Sequence, residues 1–295
     1  MIMKHVGMNV ASDPAHYSGY TGVRGGMVVL VGADPGATCS TGEFDVRFLS
    51  LHTHLPILEP GDFQETVDAT RGAFELSEHL LLPVMVIVPA RLCYGMGTVT
   101  TGPVAPPRDE LSFARTPDLT VVGQRAVERH RLLMEKIERL RELPPDATLP
   151  GLPADRHRTV PSRDLIVASG VIRDLVLEAM AILGVDDRVS VYAPALTYPL
   201  SGPRLLGAMG RCGCERVLFV EDLEGFLETQ ATATLVRSRA AVEVHGKDVF
   251  RPWGVVGFRE VLDGLRRSSS GRATCWEATS AAAPCRPTTR TGSPA

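Results

Sequence analysis

Apolar positions along the chain follow two different periods, and the alternation between them predicts an α/β architecture. Residues 27–33 and 84–88 are continuous apolar runs rich in β-branched side chains, as expected of strands covered on both faces of a parallel sheet. Asp34-Pro35-Gly36 closes the first run with turn chemistry. Between the two runs a helix is predicted from Asp62, with Glu65 placed as the reciprocal cap and Phe63, Val67, Phe74 and Leu81 on one stripe. Farther along, strands are predicted at 165–168, 189–192, 217–220 and 241–245, separated by helical patterns. In the first of those helices Ile172, Leu175, Val176, Ala179 and Leu183 share a face, and Gly184 is placed to close it.

The two strand-and-helix series are separated by a stretch of different composition. Prolines at 103, 106, 107, 144, 145, 150 and 153 surround one charged helix near 122–143, which reads as a linker carrying a helix. After about residue 268 the hydrophobic period stops, and an irregular or disordered end is expected. An out-of-frame or non-native origin would account for so abrupt a change. The expected organisation is therefore 1–101, a linker at 102–162, a second α/β domain at 163–247, and an irregular tail at 248–295.

Charge and cysteine usage narrow the function classes. A net charge of -3 and 5% aromatic content give no basic surplus for a phosphate backbone, so nucleic acid is a poor partner. The longest apolar run, 80–90, is interrupted by Pro83 and Pro89, well short of a spanning helix. Without a membrane span or an export leader in the first residues, a cytoplasmic location is expected. The six cysteines form no Cys-x-x-Cys pair, and Cys212-Gly-Cys214 reads as thiols in a turn rather than cluster ligands. His52 and His54 with Cys39 are a weak metal candidate, because two-residue spacing without fixed companions is unspecific; no metal site is expected.

Several short motifs, taken in order, carry a more specific message. They are the run from Lys4 through Ala11, Tyr20-Thr21-Gly22-Val23, Gly25-Gly26, Asp34-Pro35-Gly36, Glu59-Pro60, Ala73 through Glu78, Thr197-Tyr198-Pro199-Leu200 and Val220-Glu221-Asp222. In this order and spacing the chain resembles the middle of an indolepyruvate ferredoxin oxidoreductase alpha subunit, of the thiamine diphosphate-dependent 2-oxoacid:ferredoxin oxidoreductases. The resemblance implies that 1–101 is the C-terminal half of a pyrimidine-binding domain and 163–247 a transketolase C-terminal-like parallel α/β domain. It further implies thiamine diphosphate with Mg²⁺ as cofactor and, in the complete enzyme, iron–sulfur clusters, ferredoxin and coenzyme A. A beta subunit or complementary chain is the implied partner.

The same resemblance singles out residues. His5, Gly7 and Asn9 fall where the family approaches the cofactor, the Asn9 amide either meeting the pyrimidine or serving as a turn residue. Glu43, Asp45 and Arg47 keep charged positions of a substrate loop, with a surface salt-bridge loop as the competing reading. Arg91 ends a strand without the threonines that precede the family's arginine, and Glu221, Asp222 and Glu224 are expected to cap and solvate the next helix. No residue is singled out as catalytic.

The sequence also departs from the pattern. Asn9 is its only asparagine, and no Gly-Asp-Gly occurs, so the motif that holds the diphosphate and Mg²⁺ is not encoded in this stretch. The family's activating glutamate lies ahead of the segment that Lys4-His5 matches, and cluster cysteines are lacking. The expected function is thus part of an enzyme for oxidative decarboxylation of aryl 2-oxo acids to acyl-CoA, inactive alone. The alternative is a non-catalytic module that completes a site with a separate chain carrying the pyrophosphate domain. A nucleotide-binding α/β protein is weaker, since no Gly-x-Gly-x-x-Gly follows any strand.

Overall fold

The computed structural model describes residues 1–103 and 120–269. The first half runs β1 (Ile2–Lys4), α1 (His5–Val10), α2 (Ser12–Thr21), β2 (Val28–Ala33), a 3-10 turn at Val46–Phe48, α3 (Leu49–Thr53), β3 (Ile57–Leu58), α4 (Phe63–Leu80), β4 (Val84–Pro89) and α5 (Ala90–Cys93). Then come α6 (Gln124–Arg141), β5 (Arg156–Arg158), β6 (Asp164–Val167), α7 (Gly170–Leu183), β7 (Ser190–Ala193), β8 (Leu196–Tyr198), α8 (Gly202–Cys212), β9 (Arg216–Phe219), α9 (Phe226–Ser238), β10 (Glu243–His245) and α10 (Phe258–Ser269).

Two five-stranded sheets result, ordered β1-β2-β4-β3-β8 and β10-β9-β6-β7-β5. Every pairing is parallel except β3 with β8 and β5 with β7, which sit at sheet edges. The β8 strand, from the second half of the chain, extends the first sheet, a crossing that periodicity does not reveal.

Three expectations are corrected by packing. The α4 stripe of Phe63, Val67, Phe74 and Leu81 is not the buried face: Phe74 and Leu81 are each 47% exposed, while Ala69, Ala73 and Leu76 are buried. Ala69, Ala73 and Leu76 pack against the sheet strands, and elsewhere on α4 a Cβ at Gly72 would stand only 2.3 Å from the Gly151 carbonyl oxygen of the loop that follows α6. The stretch expected as a linker is not one throughout, because α6 buries Leu133 and Ile137 in the core on one face of the first sheet and Leu140 in the core on its other face. Order also continues past 247: Phe250, Val256, Val261 and Leu265 pack into the core around α7. Of the expected irregular tail, 270–295 lies outside the described residues.

Other expectations are met closely. Gly184 takes the left-handed conformation that ends α7. Asp62 caps α4 by accepting the Glu65 N–H at 2.7 Å, while the Glu65 carboxylate reaches back to Gly61 N rather than to the cap itself. No helix among the described residues is long and apolar enough to cross a membrane.

Candidate functional site

The two sheets turn the carboxyl ends of their strands toward a common seam. Asp34 follows β2, Glu59 follows β3, Ser169 lies just beyond β6 and Glu221 lies just beyond β9, and all four line a cavity of about 70 Å³ between the sheets. Ligands of open α/β sheets are bound at such strand ends.

Arg47 is the centre of the seam. Its guanidinium donates to both oxygens of Asp45 at 2.6–3.0 Å, to Glu221 Oε2 at 3.1 Å and to the Asp222 carbonyl at 3.1 Å, and stands 3.7 Å from Glu59 Oε1. It also lies 5.2 Å from the centre of the Phe226 ring. Local structure places it there, because Asp45 accepts the Arg47 N–H at 2.9 Å and so caps the short turn that carries the arginine. Burial would lower the guanidinium pKa, but Asp45, Glu59 and Glu221 more than offset this and keep it firmly charged.

The carboxyls around it carry a different load. Burial pushes Glu221 up to about 7, against the pull of Arg47 and of the Leu227 and Glu228 amides that it caps at 2.9 and 3.1 Å. Glu59 is also raised by burial, although Arg47 and hydroxyls of Ser169 and Thr197 favour its ionised form. Asp222 is raised by burial while it holds Val256 N at 2.6 Å and faces Arg91 at 3.6 Å. Asp34 goes the other way. Burial opposes its charge, but bonds from Ser40, Cys39 and Thr38, with Lys4 nearby, hold it at about 2. The seam therefore contains one carboxyl, Glu221, that titrates close to neutral pH.

The residues singled out by resemblance separate into two groups. Asp45 and Arg47 are buried in the seam, so a surface salt-bridge loop is not what they form. Glu43 is exposed and ties the loop to the other sheet's side, accepting from Gly36 N at 2.8 Å and Gly254 N at 3.1 Å. His5 is buried beside that loop, with Nε2 at 3.2 Å from the Gly42 carbonyl and its ring 4.8 Å from Phe44, while its Nδ1 has no partner. Asn9 is exposed near the end of α1 rather than in a loop, and Gly7 faces Met3. Glu221 caps α9 as expected but from a buried position, so solvation is not its role; Glu224 is exposed.

Glu59, Ser169 and Thr197 were not expected in the site. Glu59 and Thr197 both stand in motifs that carry the resemblance, and Glu59 is also an acid set directly after an apolar strand, whereas the serine depends on how the sheets meet. The remaining candidates resolve into structure. His52 stacks on His16 with centroids 4.5 Å apart, His54 Nδ1 lies 3.2 Å from the Tyr198 hydroxyl, and no metal-holding group of three ligands occurs among the described residues. Burial and the neighbouring Cys212 push the Cys214 thiol up to about 12, so it is a poor nucleophile.

The fit to thiamine diphosphate is one-sided. An unpartnered buried His5 Nδ1 at a sheet's carboxyl edge suits a polar contact to an aminopyrimidine. Nothing among the described residues suits the diphosphate and its cation: Asn9 points into solvent, and the seam's acids are spent on Arg47 and on helix and loop amides.

No protein-family model matches the chain. It is 36% identical over 246 residues to the indolepyruvate oxidoreductase subunit IorA of Methanothermobacter thermautotrophicus, covering 83% of this chain and 39% of that protein. IorA of Pyrococcus abyssi is 34% identical over 254 residues, covering 84% of this chain and 38% of that protein. The chain thus spans about two fifths of the length of the curated relatives it matches. Among solved structures, a 2-oxoglutarate:ferredoxin oxidoreductase from Magnetococcus marinus, with 2-oxoglutarate, coenzyme A and succinyl-CoA bound, superposes with a TM-score of 0.61 at 13% identity over 90% of this chain and 52% of that one. A split gene transketolase, in an inactive beta4 tetramer, gives 0.50 at 13% identity over 89% and 72%. The fold is the α/β arrangement these enzymes share.

Proposed function

We propose that this chain, a homologue of part of the IorA subunit, supplies the pyrimidine side and the transketolase C-terminal-like domain of a thiamine diphosphate-dependent indolepyruvate:ferredoxin oxidoreductase in the cytoplasm. The observation that carries this reading is the collinear identity of 30–36% to IorA proteins over 83–84% of the chain. Bound thiamine diphosphate would supply the carbanion chemistry of 2-oxo acid decarboxylation, with Mg²⁺ on its diphosphate and iron–sulfur clusters, ferredoxin and coenzyme A serving the complete enzyme. The chain's own contribution is positional: His5 offers a buried nitrogen toward the cofactor side, and the Arg47 seam holds the two sheets in register.

The second reading is a module that completes the site with a separate chain carrying the pyrophosphate-binding domain. The test is to mix the protein with an IorA-type pyrophosphate domain and beta subunit, then follow thiamine diphosphate binding and indolepyruvate-dependent viologen reduction. Binding and turnover in the mixture, with neither component active alone, support the proposal. A mixture that binds no cofactor overturns it.

A further inference from the structure

A cleft of about 370 Å³ opens at the carboxyl ends of β3 and β7, to one side of the Arg47 seam. Its walls are small and apolar, made by Pro60, Pro153, Ala154, Ala193 and Pro194. Its cationic groups are Arg156, on the edge strand β5, and Arg173, on α7. Both guanidinia converge on a single oxygen, Glu65 Oε1, at 2.5 and 2.8 Å. A second hollow of about 240 Å³ is walled by the same two arginines. The two arginines are thus common to both hollows, while Glu65 lines only the larger one.

The backbone is shaped for this bridge. A Cβ at Gly61 would lie 2.7 Å from Arg173 Nη2 and 2.9 Å from the Gly170 carbonyl oxygen, so the arginine is packed against bare main chain. Arg173 is held in place by Asp174 as well, with its side chain 9% exposed. Arg156 is 60% exposed, and Glu65 is its one ion-pair partner among the described residues. The cleft's other acids are engaged elsewhere. Asp155 takes the Tyr192 hydroxyl and Ala195 N at 3.0 Å and pairs with Arg204 at 3.3 Å; Asp68 takes Gln64; Glu59 is turned to Ser169 and Thr197.

Arg173 is engaged through all three of its nitrogens by Asp174 and Glu65, so the spare donors are those of the exposed Arg156, and a guanidinium fork matches a carboxylate closely. A hollow of this size, mostly apolar with a few convergent polar groups, is the usual form of a small-molecule site. We propose that the cleft binds an organic monocarboxylate with an apolar body, whose carboxylate displaces Glu65 from Arg156 and Arg173 while the proline and alanine walls cover the body. Inorganic phosphate would meet the arginines but not the walls. The site needs neither cofactor nor partner chain, so its test is independent of the function proposed above.

The experiment is calorimetric titration of the whole chain with two probes, phenylacetate and inorganic phosphate. Saturable one-to-one binding of phenylacetate is expected, with phosphate about tenfold weaker or more because the apolar walls are left unused. Arg156→Ala, at an exposed position, is expected to weaken phenylacetate about tenfold with the circular dichroism spectrum unchanged. Glu65→Gln removes the competing charge and is expected to tighten it. No saturable phenylacetate binding, phosphate binding as tightly as phenylacetate, or an affinity unmoved by both substitutions would overturn the proposal.

Discussion

Arg47 has Asp45, Glu59 and Glu221 within reach of one guanidinium, all largely out of water. Replacing it with glutamine leaves these carboxyls without their counter-charge, and breaking a buried pair in this way typically costs about 3–5 kcal/mol. Arg47→Gln should therefore lower the urea midpoint strongly, and adding Glu221→Gln should restore part of the loss, a coupling read from the double-mutant cycle. Glu221 also sets a pH dependence. Its folded value of about 7 lies above its usual 4.5, so between those values the native protein keeps a proton that the unfolded chain has released. Stability then falls as pH rises from about 4.5 to about 7 and levels off above that. Asp34, held at about 2 against 3.8, acts oppositely, and its contribution is lost as pH falls from 3.8 toward 2. Unfolding midpoints measured across pH should thus be highest near pH 4, between the two windows, and Glu221→Gln should flatten the decline between about pH 4.5 and 7. A decline that persists unchanged in this variant would assign it to another group.

At the scale of elements, close approach decides more than stripes do. The hydrophobic stripe read along α4 has the correct period but the wrong face, because Ala69 and Ala73 allow a closer contact with the sheet than Phe74 would. Gly72→Ala places a methyl against the Gly151 carbonyl oxygen, which must move, and a loss of about 1–3 kcal/mol in thermal or urea unfolding is expected. The strands and α7 were legible because apolar runs and a terminal glycine are local signals. That Phe250 belongs to the second core was not legible, since it stands alone among glycines and prolines, whereas Leu265 shares with Phe258, Val261 and Leu262 a helical spacing that the sequence did show and the tail assignment passed over. Phe250→Ala should cost about 3–5 kcal/mol if this packing holds, measured by the same unfolding curves. A change near zero would return the segment to the irregular tail.

For the whole molecule, the arrangement of the two sheets makes the candidate site. Acids and hydroxyls that are far apart in sequence, such as Glu59 with Ser169 and Thr197, meet because both sheets present carboxyl ends to one seam and β8 crosses into the first sheet. The sequence by itself determined the α/β class, the strands β2, β4, β6, β7, β9 and β10 with the helices α4, α6 and α7, the Asp62 cap, the Gly184 stop and the likeness to an oxidoreductase alpha subunit. These rest on neighbours along the chain, where period, turn chemistry and motif order are written directly. Tertiary structure alone decided that Arg47 is a buried centre rather than a surface charge, that Glu221 holds a proton near neutrality, and that Arg156 and Arg173 share Glu65. Each of these depends on burial and on partners 100 or more residues away for the contacts of Arg47 with Glu221 and Arg173 with Glu65, distances over which no local pattern carries information.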